Sequence, residues 1–140
     1  MFFDFSTIGE IFSIILLMRD SEFKIIVEGA IAGIPKEFRD RIENVSIVIS
    51  DYPSIEQLKS ARVVSGNATL LGLYEGVPQT KRGHYGIGGA LPDKITIFKN
   101  PILSISGSYN EAIVNIRNTV IHEIAHHFGM SEGEIKRRAF

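Results

Sequence analysis

Cysteine is absent from the 140 residues of the chain. The chain therefore has no disulfide, no thiolate nucleophile and no thiolate metal ligand, and any metal site would have to use histidines and carboxylates. Disulfides are rare in reducing compartments, so the absence also fits a cytoplasmic location.

An excess of charge of either sign is lacking as well. Fifteen Lys and Arg residues stand against sixteen Asp and Glu residues, which leaves a formal net charge of -1. This balance creates no overall field that would draw the protein onto nucleic acid or an anionic membrane, and we expect no nucleic-acid partner. Hydrophobic residues make up 44% of the chain and charged residues 22%, which is typical of one folded domain at this length.

Basic residues are missing from the first, strongly apolar segment. No Lys or Arg precedes Arg19 and no small-residue cleavage site is evident, so the segment does not fit a secretory signal. Its apolar run over residues 11–18 is shorter than the stretch of about 20 residues that spans a bilayer. We interpret residues 1–19 as an apolar extension of a single domain over residues 20–140. The extension packs on the core, contacts a partner or membrane surface, or precedes a natural start at Met18, and the sequence leaves these alternatives open.

The first part of the domain predicts two helices and a strand. Asp20 and Ser21, both favoured N-cap residue types, precede apolar residues at helical spacing. Pro35 suits the first position of a second, short helix. Residues 45–50 are rich in β-branched side chains and predict a buried strand.

The middle of the chain adds a short helix and two further strands. Ser54 and Gln57 have the spacing of a capping box, which predicts a brief helix ending near residue 61. Residues 70–77 and 95–99 are candidate strands separated by a glycine-rich loop. Together with the helices, these strands indicate an α+β fold with a small sheet packed against helices.

A long helix is predicted near the end of the chain. Ser108 and Glu111 have the spacing of a capping box, and Gly129 is typical of a helix stop. Ser131 and Glu134 repeat the capping pattern and open a short last helix. Between the first box and the glycine, apolar residues recur at steps of three and four, as on the core face of a helix: Ala112, Ile113, Ile116, Val120, Ile124 and Phe128.

The long helix carries a histidine pattern typical of metal binding, HEIAH. His122 and His126 are four residues apart, so they point the same way one turn apart, as two imidazole ligands of one metal require. Glu123 projects beside them, where a carboxylate can accept a proton from a metal-held water. His127 points elsewhere, which favours a packing or hydrogen-bonding role. At 100° per residue, one set of residues shares the side of the helix away from the stripe of Val120, Ile124 and Phe128: Asn115, Asn118, Thr119, His122, His126 and Gly129.

Two histidines leave such a site one ligand short, because catalytic zinc usually has three protein ligands. The turn at Gly129 could return the chain to the metal, and the eleventh residue counted from His122 is Glu132. Glu134 is the competing carboxylate, but it is the predicted capping partner of Ser131. We favour Glu132 as the third ligand, with Glu134 or a water as the alternatives.

Three stretches of the chain share their pattern with a known family. They read LLGLYEGVP over residues 70–78, LPDKITIFKNPI over residues 91–102 and TVIHEIAHHFGMSEGEI over residues 119–135. In this combination the chain resembles the small bacterial zincin-like metallopeptidases, also called minimal metalloproteases. With the helices before the first strand, the similarity covers about residues 20–138.

The resemblance implies an α+β zincin core, a bacterial origin and one zinc ion. It also implies that His122 and His126 bind the zinc and that Glu123 is the general base. Family members usually carry Asp where this chain has Glu132, so a longer side chain would reach the metal.

The sequence therefore predicts a hydrolase that cleaves peptide bonds in a peptide or protein substrate through a zinc-activated water. We expect the strand over residues 95–99 to form a sheet edge that pairs with an extended peptide. His84 and Tyr85 lie in the glycine-rich loop, from which they could reach the cleft, but we assign them no role. We expect a cytoplasmic location, and this location is compatible with peripheral membrane association through the apolar extension.

Two alternatives come from other functional classes. The first is a non-hydrolytic or partner-binding zincin with a structural metal, which a fourth protein ligand would favour and an open metal position beside Glu123 would not. The second is a zinc-dependent endoribonuclease of the rRNA-maturation type, a family with the same spacing of ligands. That family uses a third histidine and lacks the glutamate after the first, whereas this chain has Glu132 and Glu123 in those places.

Overall fold

The structure, a computed structural model, describes residues 18–42, 45–61, 70–76, 93–131, 133, 134 and 137. The helices and strands in these ranges form an α+β arrangement. Their bounds are α1 Asp20–Ala32, α2 Lys36–Arg39, β1 Val45–Ser50, α3 Ile55–Ser60, β2 Gly72–Glu75, β3 Asp93–Phe98, α4 Lys99–Ser104 and α5 Tyr109–His127.

The strands form a three-stranded sheet in the order β1-β3-β2. Strand β1 runs parallel to β3, with Val45 opposite Asp93, and β2 runs antiparallel to β3, with Tyr74 opposite Ile95. The expectation that residues 95–99 form a sheet edge is wrong, because β3 is the central strand. Thr96 and its neighbours on both faces of β3 are buried, as in strands covered on two sides, and Lys99 already belongs to α4.

The core lies between the sheet and the two longest helices. Helices α1 and α5 contact each other, and α5 also contacts β2 and β3. Alternate residues of β3 point toward these helices, and the stripe predicted on α5 faces inward with them. The buried side chains at this interface include Phe23, Val27, Ile95, Ile97, Ile116, Val120 and Ile124.

The helix starts are capped largely as predicted. Ser54 and Gln57 form a reciprocal capping box at α3. The Ser108 hydroxyl accepts a hydrogen bond from the Glu111 amide at α5, at 3.1 Å. Helix α1 differs from the prediction because its N-cap is Arg19, which makes no side-chain capping bond. Asp20 instead lies in the first turn and pairs with Lys99, a long-range contact that local sequence does not reveal.

Gly129 ends α5 as predicted, in the left-handed conformation with φ of 73°. The Gly129 amide donates to the His126 carbonyl at 2.9 Å, and the Met130 amide donates to the Ala125 carbonyl at 3.0 Å. This pair of bonds is a Schellman motif, which satisfies carbonyl groups that the helix end would leave unpaired. The motif turns the chain at Gly129, three residues after His126.

The apolar extension predicted over residues 1–19 falls outside the described residues up to residue 17. Met18 is described and is buried in the core. In the part of the chain that the structure covers, no helix is long and apolar enough to cross a membrane.

Substitution of Gly129 by Ala should lower the free energy of unfolding by about 1–2 kcal/mol, because a side chain disfavours the left-handed conformation. Urea denaturation measures the change. Gly29 provides the control, since it lies in α1 and a Cβ there would meet nothing within 4 Å. Gly29→Ala should therefore stabilise the protein by about 0.5–1 kcal/mol. A loss of stability at both positions would contradict the assignment.

Candidate active site

Helix α5 brings both histidines of the predicted pattern to one cavity. The cavity has a volume of about 380 Å³ and is lined by Leu71, Asn115, Asn118, Thr119, His122, Glu123 and His126. Of the residues predicted to share this side of the helix, all but Gly129 line the cavity. Val120 and Ile124 are buried in the core instead, so the polar and apolar faces of α5 are separate, as the helical spacing predicts.

The imidazole of His122 is oriented by its own helix. Its Nδ1 lies 2.9 Å from the backbone carbonyl oxygen of Asn118. A carbonyl oxygen only accepts hydrogen bonds, so Nδ1 donates and Nε2 keeps its lone pair. A neutral imidazole whose other nitrogen is fixed by a backbone carbonyl is a typical metal ligand. His126 follows one turn later and is more exposed, so a metal ion can approach both rings from the cavity.

Glu123 is largely buried between the cavity and β2. Its side chain is 13% exposed, and its Oε2 lies 3.6 Å from Nδ1 of His126. Burial raises the pKa of Glu123, and this effect outweighs the opposing influence of His126, His122 and the Tyr74 backbone amide, which donates to the carboxylate. A carboxylate with a raised pKa is a stronger proton acceptor than an exposed glutamate.

Strand β2 passes so close to α5 that Gly72 has no room for a side chain. A Cβ at this position would lie 2.8 Å from Cγ of Glu123 and 3.0 Å from Cγ2 of Thr119. The sequence interpretation did not single out Gly72. A glycine inside a strand pattern does indicate close backbone approach, but it does not indicate which element approaches.

A second stripe of α5 faces β2 rather than the cavity. His127 lies four residues after Glu123 and is 1% exposed. Its Nδ1 is 2.7 Å from Oδ2 of Asp93, and the Tyr74 hydroxyl donates to the same oxygen at 2.8 Å. His127 thus has the packing role that its spacing predicts, whereas Asp93 and Tyr74 were not predicted as site residues.

The third predicted ligand, Glu132, follows the turn at Gly129 in the sequence. Glu132, His84 and Tyr85 lie outside the described residues. Glu134 is described, and its amide donates to the Ser131 hydroxyl at 3.3 Å, as the predicted capping pair requires. Across residues 18–42, 45–61, 70–76, 93–131 and the few described after them, no three His, Asp or Glu side chains are grouped to hold a metal.

The residues at the cavity nevertheless fit a zinc ion. Imidazole nitrogens on one helix face are ligands that zinc prefers, and the hydrogen bond from His122 fixes that ring in the ligating form. At the cavity, the described residues present the two imidazoles of His122 and His126.

Comparison with known families agrees with this chemistry. A family profile described as zincin-like metallopeptidase matches residues 42–139 of the 140. The matched range contains the whole sheet, α5 and the cavity, and it starts after α1 and α2. No curated protein matches the chain.

Substitution of Gly72 by Ala should lower the free energy of unfolding by about 1–3 kcal/mol, because the added methyl group forces β2 and Glu123 apart. Urea denaturation measures this loss. Gly33→Ala is the matched control, since a Cβ there would lie 3.6 Å from its nearest neighbours and fit without displacement. Equal stability of wild type and Gly72→Ala would contradict the close approach.

The raised pKa of Glu123 makes the stability of the metal-free protein depend on pH. A raised folded-state pKa means that stability is present below the ordinary value of 4.5 and is lost as pH rises through the folded value. Metal-free Glu123→Gln, which does not titrate, should therefore be more stable than wild type at neutral pH. This advantage should vanish in acid, as thermal unfolding across pH would show.

Glu111→Gln is the control for this titration, because Glu111 is an exposed carboxylate at the start of the same helix. A negative charge is favourable there, so removing it should bring no gain at neutral pH. A gain of the same size for both variants would contradict the effect of burial on Glu123.

Proposed function

The chain belongs to the zincin-like metallopeptidase family, and we propose that it is a zinc-dependent peptidase with Glu123 as its general base. The observation that carries this proposal is the convergence of His122, His126 and a buried Glu123 on one cavity. This arrangement supports the roles that the histidine pattern predicts: two imidazole ligands that face the cavity and a carboxylate beside them.

His122 and His126 would bind one zinc ion, with Glu132 as the third protein ligand. Support for Glu132 over Glu134 comes from the capping contact between Glu134 and Ser131. When bound, zinc supplies a Lewis acid that polarises the scissile carbonyl and lowers the pKa of a water to about 7. Glu123 lies next to the proposed ligands, with its Oε2 3.6 Å from Nδ1 of His126, and we assign it no bond to the metal.

Glu123 would move the proton during hydrolysis. Its carboxylate accepts a proton from the attacking water as the oxygen bonds to the scissile carbonyl carbon. It then delivers that proton to the amide nitrogen as the carbon–nitrogen bond breaks, which releases an amine and a carboxylic acid. Burial raises the pKa of this carboxylate in the metal-free protein, which favours the protonated form that the second transfer requires.

Strand β2 is the described strand best placed to align an extended substrate. The Leu71 carbonyl accepts from the Phe98 amide, so alternate residues of β2 face β3 and the backbone groups of Gly72 and Tyr74 point away from it. Leu71 also lines the cavity. A peptide added at this side of β2 would run past Glu123 and pair with the Gly72 backbone, because the Tyr74 amide already donates to the Glu123 carboxylate.

Metal analysis combined with cleavage of casein and a peptide library tests the proposal. His126→Ala should lose a zinc ligand and weaken zinc binding at least about 100-fold, with cleavage lost in parallel. Glu123→Gln should retain one equivalent of zinc and lose about 10²–10⁴-fold in kcat. Glu111→Gln, at the far end of the same helix, is the matched carboxylate control and should keep both properties.

Each alternative outcome has a distinct meaning. Cleavage by Glu123→Gln at the wild-type rate would overturn the mechanism. Tight zinc binding by a wild type that cleaves nothing would favour a structural metal in a partner-binding zincin. Glu132→Ala tests the third ligand separately, and unchanged zinc affinity would reassign that ligand to Glu134 or to a water.

A further inference from the structure

A buried polar cluster lies under β2, beside the candidate site but outside its cavity. It consists of Tyr74 on β2, Asp93 at the start of β3 and His127 on α5. We propose that this positioning cluster, Tyr74, Asp93 and His127, holds the Tyr74 backbone amide against Glu123 and so fixes the orientation of the general base. The inference rests on the proposed function of Glu123.

The carboxylate of Asp93 joins the three elements through one oxygen. Asp93 is 2% exposed and His127 is 1% exposed. The His127 ring and the Tyr74 hydroxyl approach Oδ2 of Asp93 at 2.7 and 2.8 Å. Polar contacts shielded from water are electrostatically strong, so each partner restrains the other two.

Tyr74 is the residue through which the cluster reaches Glu123. Its backbone amide donates to the Glu123 carboxylate, while its ring packs edge-on against the His127 ring with centroids 5.5 Å apart. Glu123 and His127 are one turn apart on the same face of α5. Tyr74 therefore contacts two successive turns of the helix. Its backbone faces Glu123, the proposed general base, and its side chain belongs to the positioning cluster.

Gly76 shows how tightly Asp93 is held against β2. A Cβ at this position would lie 2.7 Å from Cγ of Asp93 and 3.0 Å from its Cβ. Asp93 thus covers the backbone just beyond β2. The end of β2 is fixed by Asp93, and its beginning is fixed by the contact of Gly72 with Glu123.

The cluster can be tested without any substrate by amide hydrogen exchange, resolved by NMR, in zinc-free and zinc-loaded protein. Tyr74→Phe removes only the hydroxyl that donates to Asp93 and keeps the ring and the backbone amide. We expect the amide at position 74 to exchange at least about 10-fold faster in this variant, with the amides of Leu73 and Glu75, which face β3, within about twofold of wild type. Asp93→Asn should have the same selective effect.

Thr96→Val is the matched control, because Thr96 is buried on the opposite face of β3 and its hydroxyl has no hydrogen-bond partner among the described residues. Exchange at position 74 should be unchanged in this variant. Equal acceleration of all three β2 amides in Tyr74→Phe would mean general loosening and would overturn the proposal. Unchanged exchange at position 74 would overturn it as well.

Kinetics give the second readout. Tyr74→Phe should lower kcat about 10-fold while KM and zinc content stay within about twofold of wild type. In the Glu123→Gln background the same change should have no further effect, because the base it orients is gone. Equal losses in both backgrounds would show that the cluster acts independently of Glu123. If wild type cleaves nothing, the proposed function fails, and the exchange experiment still decides whether the cluster holds the amide on Glu123.

Discussion

Strand β2 lies so close to α5 that the stem of Glu123 occupies the space that a side chain at position 72 would fill. This approach buries most of the Glu123 side chain and brings the Tyr74 amide to its carboxylate. If β2 did not pack against α5, Glu123 would be an exposed glutamate and the histidines would lie on an open helix surface. The candidate site thus depends on a strand that contributes no side chain of its own to the predicted chemistry.

Local patterns predicted the parts of the fold that local interactions determine. Strand β1 begins and ends at the predicted residues, Val45 and Ser50, and α3 starts at its capping box. Helix α5 runs between Ser108 and Phe128, and Gly129 ends it through a left-handed turn. The face that carries His122 and His126 follows from helical geometry alone, because its residues share one element.

Contacts between distant elements were not predictable in the same way. The run ITIF is consistent with an edge or a central strand, and its pairing on both sides depends on β1 and β2. Helix α4 starts directly after β3 and was not predicted. The contact between Asp93 and His127 joins residues from different elements, so no spacing rule indicates it. The sequence indicates only that His127, four residues after Glu123, lies on the same face of α5 as Glu123.

The parallel pairing of β1 with β3 also orders the events of folding. Val45 must pair with Asp93, which is distant in the sequence, and such non-local strand pairing forms more slowly than a helix. The two imidazoles come together as soon as their stretch of α5 is helical, whereas the carboxylate gains its strand neighbour only after the sheet has assembled. A partly folded molecule with α5 formed and the sheet still unpaired would therefore carry both imidazoles on one helix face but an exposed Glu123.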